Sequence, residues 1–290
     1  NALQPEHLVT HSFAFNEAPK AYEELSVGKL AIGILLRYDA DSQYVAADRS
    51  ISYGKAQAKD GALGTSFIGA GSYASSILIP AFARNRQVCL KSIGSHKGLS
   101  ASQQAKKFGF QIASTDTDQI ISGDCDAVVV STRHNTHSEL VCRSLRAGKH
   151  VFVEKPLCLT PDECNTIEET LASLQRPPIL MVGFNRRFAP LSVRIKTLLD
   201  RSPGPKSFIY TINAGALPAD HWTNDPLIGG GRVIGEACHF IDLVRFFANS
   251  PIVDINFEIL RNKLLKEKDI DKNIIKKYFL FDDVFKKLKG

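Results

Sequence analysis

Phe67-Ile68-Gly69-Ala70-Gly71-Ser72-Tyr73-Ala74 is the stretch on which the fold turns. Two apolar residues run into two glycines one residue apart, and an apolar segment rich in small residues opens behind them. A dinucleotide-binding turn between strand and helix needs this arrangement. One glycine permits the tight turn, and the next admits a pyrophosphate against bare backbone. A small third residue, here Ala74, lets the helix pack on the strand. The helix's free N–H groups and dipole then face the phosphates. Gly69, Gly71, Ser72, Tyr73 and Ala74 are therefore the candidate cofactor-binding set. Taken alone, the hexapeptide fits an ordinary glycine turn as well, and the motifs further along the chain decide between the two.

Outward from the glycines the pattern alternates strand and helix. Strands are expected at 88–93, 127–130, 150–153 and 179–184, the run Ala127 to Val130 being apolar on both faces as in a buried parallel strand. Helices are expected at 100–108, ending on Gly109, and at 138–147, ending on Gly148. A third is expected at 161–174, with Thr160 as N-cap, Pro161 first and Glu163 closing a capping box. Such alternation predicts an α/β fold with a Rossmann-type doubly wound parallel sheet.

At 290 residues the chain is long enough for about two domains. Its 44% apolar and 23% charged content is that of an ordinary globular protein. No apolar run nears the roughly 20 residues that span a bilayer, and no secretory signal is present, so no membrane partner is expected. The only methionine is Met181, and the chain reads as a fragment of something longer. The net charge of +6 is concentrated at the end: residues 257–290 hold ten Lys or Arg against six Asp or Glu. Basic residues are not interleaved with aromatics through the body, so no nucleic-acid partner is expected. Cys89, Cys125, Cys142, Cys158, Cys164 and Cys238 form no Cys-x-x-Cys pair, which argues against a structural zinc or a disulfide framework and fits a reducing cytoplasm.

Three segments carry a family resemblance: 126–137, with Thr132, His134 and His137; 147–156, ending Glu154-Lys155-Pro156; and 183–188, with Asn185 and Arg187. In this order and spacing, over about 65–254, the chain resembles the Gfo/Idh/MocA oxidoreductases. The resemblance implies a nicotinamide cofactor, NAD or NADP, and a small carbohydrate-like substrate. It also implies a second α+β domain with an open, largely antiparallel sheet, through which a homo-oligomer could form. Lys155 matches the lysine that stands beside the nicotinamide and bonds the substrate hydroxyl. An ammonium there can polarise a carbonyl or stabilise an alkoxide, and a cis Lys155–Pro156 bond would aim it. His239, after the Gly229-Gly230-Gly231 run, matches the catalytic histidine that accepts the hydroxyl proton.

On a helix expected at 235–249, Ala237, Ile241, Val244 and Ala248 share one face, with Glu236, His239 and Asp242 on the other. Four residues before the histidine the family commonly carries Asp, and here stands Gly235; Glu236 is the candidate substitute. Asn185 and Arg187 are candidates for substrate contact, beside Lys155 and His239. His134-x-x-His137 has metal-like spacing, but without a carboxylate or cysteine cluster it points to cofactor or substrate contact, and no metal is expected. Glu154 and Thr132 join the cofactor set. Past the second strand, Gly94-Ser95-His96-Lys97 offers no acid for a ribose 2′-OH, so Ser95 and Lys97 could accept a 2′-phosphate; equally, Ser95 serves either cofactor and Lys97 is solvated.

Residues 1–38 resemble the C-terminal end of zinc-dependent medium-chain alcohol dehydrogenases, through His11-Ser12-Phe13 and Glu17 to Tyr22. Here a strand is expected at 8–10, a helix at 16–27 capped by Asn16 with Pro19 in its first turn, and a strand at 32–36. The zinc ligands would lie upstream, so 1–38 reads as a remnant without zinc chemistry, and the fusion suggests two-part bacterial oxidoreductases. The domain reading is then 1–38 remnant, 39–62 linker, 63–182 dinucleotide-binding domain, 183–256 start of a substrate domain, its sheet incomplete, and 257–290 lysine-rich helical tail. The expected function is hydride transfer between a nicotinamide and a hydroxyl of a sugar or polyol. A non-catalytic dinucleotide sensor is the alternative, favoured by Gly235 and the tail. A cofactor-assisted glycosidase on the same scaffold is a second.

Overall fold

A computed structural model describes residues 5–27, 31–38, 49–54 and 61–254. The chain divides into two compact units, Asn1–Asp48 and Arg49–Gly290.

In the first unit, β1 (His11–Ala14) and β2 (Ile34–Arg37) pair in parallel, joined by a segment that contains α1 (Ala18–Val27). The strand expected at 8–10 begins three residues later. Residues Pro5–Leu8 coil into a 3-10 turn, and the N–H groups of Thr10 and His11 both reach Gly33 O (2.9 and 3.2 Å). Asn16 caps nothing: it lies inside a second 3-10 turn, Phe15–Glu17, that runs straight into α1. Pro19 does stand in the first turn of α1, where a missing N–H costs little.

The second unit opens with β3 (Ser50–Ser52), inside the stretch read as a linker. Then follow β4 (Leu63–Ile68), α2 (Ile79–Arg84), β5 (Val88–Gly94), α3 (Leu99–Phe108), β6 (Ile112–Ser114) and α4 (Thr117–Ser122). The second half holds β7 (Ala127–Val130), α5 (His137–Arg146), β8 (His150–Val153), α6 (Pro161–Ser173), β9 (Leu180–Val182), α7 (Pro190–Asp200) and α8 (Cys238–Ala248). The sheet order is β3-β6-β5-β4-β7-β8-β9, parallel throughout except for β3, which runs antiparallel to β6 at the edge. Without β3 this is the doubly wound order in which strand succession reverses beside the first strand, here between β4 and β7.

Alternation along the central strands fills two cores. Phe67 and Val129 point to one face, with Ile79, Ala101, Ala105 and Phe110. Ile68, Val128 and Val130 point to the other, with Val141, Leu145, Ile167 and Leu171. Phe67, fully buried, packs edge-on against Phe82 and Phe110 at 5.3 and 5.6 Å between ring centroids.

Residues 183–254 carry the 3-10 turn Asn185–Phe188, α7 and α8, and no strand among the described residues. The helix expected at 235–249 is preceded by a π turn, Val233–Ala237, and ends at Asn249 in the left-handed region. Its buried face differs from the expectation: Cys238, Asp242, Leu243 and Phe247 are buried, while Ala237, Ile241, Val244 and Ala248 are half-buried. The cause is Asp242, a carboxylate that goes inside because Arg187 pairs with it. The tail expectation at 257–290 and most of the linker, 39–48 and 55–60, lie outside the described residues.

Candidate cofactor and active site

The turn after β4 is shaped as the glycine spacing requires. Gly69 has φ +110°, and a Cβ there would sit 2.5 Å from Ser131 O, so only glycine fits. At Gly71 a Cβ would meet no protein atom within 4 Å. That open space over bare backbone is the cradle a pyrophosphate needs, so these residues fit a dinucleotide. Ala74, 1% exposed, packs against Phe67 and Ile79 where a larger residue would hold the helix off the sheet.

The carboxyl ends of β4, β7 and β8 converge on a cleft of about 770 Å³, at the switch point where doubly wound folds bind ligands. The loop from Gly69 to Ala74 forms one side of it. Thr132, His134, His137, Glu154, Lys155, Asn185 and His239 also line it, together with Ser131, Arg133 and Trp222, which the sequence reading missed. The one available signal was that Trp222 is the chain's single tryptophan, just ahead of the glycine run.

Lys155 donates from Nζ to the Gly235 carbonyl at 2.7 Å, and the Lys155–Pro156 peptide is cis. His239 opens on the same cleft, and among the described residues its buried Nδ1 has no hydrogen-bond partner. Burial, then the charges of Lys155 and Arg186, hold its imidazole down to about 4, so it is neutral near pH 7. Glu236 is not its partner. The Glu236 carboxylate accepts two bonds from the Arg232 guanidinium (2.7 and 3.1 Å), one turn back on the same helical stretch. Spacing at i−3 placed it near His239, but an arginine at i−4 claims it.

His134 and His137 are held by main chain. His134 Nδ1 bonds Gly229 O at 2.8 Å, its ring meets Trp222 edge to face at 4.7 Å, and burial brings it down to about 4. His137 is fully buried, with Nδ1 2.6 Å from Pro156 O and Nε2 3.2 Å from Thr132 O. Both neighbours are acceptors, and a neutral ring has one proton to give; burial lowers its pKa, so the shorter Nδ1 bond takes it. His137 thus ties the loops after β7 and β8 together at the inner wall of the cleft. Among the described residues no group of three or more His, Cys, Asp or Glu is placed to hold a metal.

The Glu154 carboxyl is buried with Oε1 unpartnered, and burial pushes it up to about 7. Asn185 Nδ2 donates to Tyr73 OH at 3.0 Å, linking the glycine-loop helix to the turn after β9. Arg187 does not serve the cleft: its guanidinium makes a two-pronged pair with buried Asp242, Nε at 2.7 Å from Oδ2. Ser95 and Lys97 follow β5, outside the cleft's lining. Ser95 Oγ shares a hydrogen bond with Ser100 Oγ at 2.8 Å, and Lys97 is exposed.

The fold and the cleft define a dinucleotide-binding Rossmann domain. Residues 63–184 of the chain match the Gfo/Idh/MocA oxidoreductase family, described as having an NAD-binding Rossmann fold. Among its relatives are inositol 2-dehydrogenase 2 of Saccharopolyspora erythraea, 31% identical over 60% of this chain and 50% of that protein. Another is scyllo-inositol 2-dehydrogenase (NAD(+)) of Bacillus subtilis, 29% identical over 63% and 53%. The chain spans about half the length of the curated relatives it matches. Apo scyllo-inositol dehydrogenase of Lactobacillus casei shares the fold, with a TM-score of 0.53 and 21% identity over 65% of this chain and 55% of that one.

Proposed function

We propose that this protein is an NAD(P)-dependent oxidoreductase acting on a hydroxyl of a sugar, polyol or sugar derivative. The observation that carries the reading is that Lys155 and His239 line the same cleft as the bare backbone of Gly71. NAD or NADP, when bound, supplies the nicotinamide that takes up or gives the hydride. Gly69 to Ala74 hold its phosphates, and Lys155 orients the substrate oxygen and stabilises charge on it. His239, neutral at working pH, accepts the hydroxyl proton. The inositol dehydrogenases among the relatives support this class of substrate. The six free, buried thiols support a reducing, cytoplasmic setting.

Lys155→Ala and His239→Ala are each expected to lower kcat by a factor of about 10² to 10⁴ while the Kd for NADH stays within about twofold. One observation favours a cofactor-binding sensor instead: no carboxylate is bonded to His239 Nδ1. A parent protein that binds NADH tightly but turns over no sugar or polyol would establish the sensor and end the enzyme reading.

A further inference from the structure

The charges around the cleft are one-sided. Lys155 and Arg133 line it, and Arg186, lying over the Phe240 ring at 4.4 Å, is close enough for its charge to act on His239. Among the described residues none of the three is ion-paired: Lys155 donates to the neutral Gly235 carbonyl, and Arg133 faces the Trp222 ring at 5.9 Å. The carboxylates that could balance them are committed elsewhere, Glu236 to Arg232 and Asp242 to Arg187. Among the described residues the only acid lining the cleft is Glu154, whose burial raises its carboxyl to about 7, so that it carries only part of a charge near neutral pH. The position four residues before His239, which faces Lys155, is Gly235. Arg133 and Arg186 are exposed and Lys155 is half-buried, so the three leave a positive potential at the cleft that a ligand's negative charge can meet.

We infer that the substrate is an anionic sugar or polyol, its carboxylate or phosphate lying among Lys155, Arg133 and Arg186. The inference rests on the oxidoreductase reading above. Such an anion would also relieve the positive field on His239, moving that imidazole back toward the range in which it works as a base.

The test uses Trp222, the sole tryptophan and part of the cleft wall, as a built-in reporter. With NAD or NADP present, Trp222 emission is titrated with glucose, glucuronate and glucose 6-phosphate, and with the matching galactose series. At least one anionic member is expected to bind about tenfold or more tighter than its neutral parent, a gap of about 1.4 kcal/mol. The gap should narrow in high salt and in Arg133→Gln or Arg186→Gln, both at exposed positions where folding is not at stake. Which anion wins separates a uronate from a sugar phosphate. Neutral sugars binding as tightly as both anions would overturn the inference. So would no anionic binding at about 10 mM, above the usual KM range of about 1 μM to 1 mM. Turnover on the same samples judges the other reading: charge-selective binding without any reduced nicotinamide formed sinks the oxidoreductase and leaves the charge selection standing.

Discussion

At Gly71 the backbone faces space that no protein atom fills, whereas two residues earlier a Cβ would run into Ser131. The two glycines are required for different reasons, and substitutions separate them. Gly71→Val places a branched side chain in the phosphate cradle, where its Cβ meets no protein atom within 4 Å. It is expected to abolish NADH binding in a fluorescence titration while the thermal midpoint stays near the parent's; undiminished binding would remove the phosphate loop from this turn. Placement on the cleft was legible where one side chain has one natural job, as with Gly69, Gly71, Lys155 and His239. It was not legible where partners compete. Arg187 and Glu236 were both credited to the site, and both are engaged by a neighbour that sequence spacing does not reveal. Glu154 adds a pH signature. Its ordinary carboxyl value near 4.5 is raised to about 7 in the folded state, so between those pH values the folded chain keeps a proton that the unfolded chain has lost. Stability therefore falls as pH rises through that window. Glu154→Gln removes the titrating group, so its melting midpoint relative to the parent's should rise from about pH 5 to about pH 8. A difference that is the same at both ends means the carboxyl is not raised.

Among the elements, α6 follows directly from its own sequence. Thr160 Oγ1 accepts from Glu163 N at 3.2 Å, and Glu163 Oε2 returns to Thr160 N at 3.3 Å and Leu159 N at 2.6 Å. Every partner lies within four residues, which is why the box could be read from the sequence. Thr160→Ala is expected to cost about 1 kcal/mol in urea unfolding, with m unchanged. A cost under about 0.3 kcal/mol would mean the helix start is held by packing instead. The short strand β6 and α4, with Asp116 as its cap, escaped the reading because three residues show no period and the local cap precedes only a six-residue helix. The face of α8 was misassigned for a tertiary reason. Hydrophobic periodicity assumes that carboxylates face water, and Asp242 has its counter-charge inside.

For the whole molecule, the strand order brings together a cleft whose lining, among the described residues, runs from Gly69 to His239 within the second unit. The boundary that matters is finer than the sequence suggested. Composition alone marked 39–62 as a linker, because polar, small residues give no periodic signal. Yet β3 closes the sheet edge, with Thr115 N bonded to Arg49 O at 2.8 Å and Tyr53 N to Gln111 O at 2.7 Å. Tyr53 OH adds a 2.6 Å bond to Ser102 Oγ on α3. A chain beginning at Arg49 keeps all of these, while one beginning at Leu63 exposes the β6 edge and strips a half-buried tyrosine from the α3 core. The shorter cut also lies closer to the site, since β6 pairs with β5 and β5 supports Gly69 through its N–H bond to Gly94 O at 2.8 Å. The Arg49 chain is therefore expected to bind NADH with the Kd of the full chain and to keep its melting midpoint for the cofactor domain. The Leu63 chain should unfold at a lower urea concentration and bind several-fold more weakly. If removing residues 1–48 abolishes binding by itself, the first unit is part of the cofactor domain's folding and cannot be a remnant of something upstream.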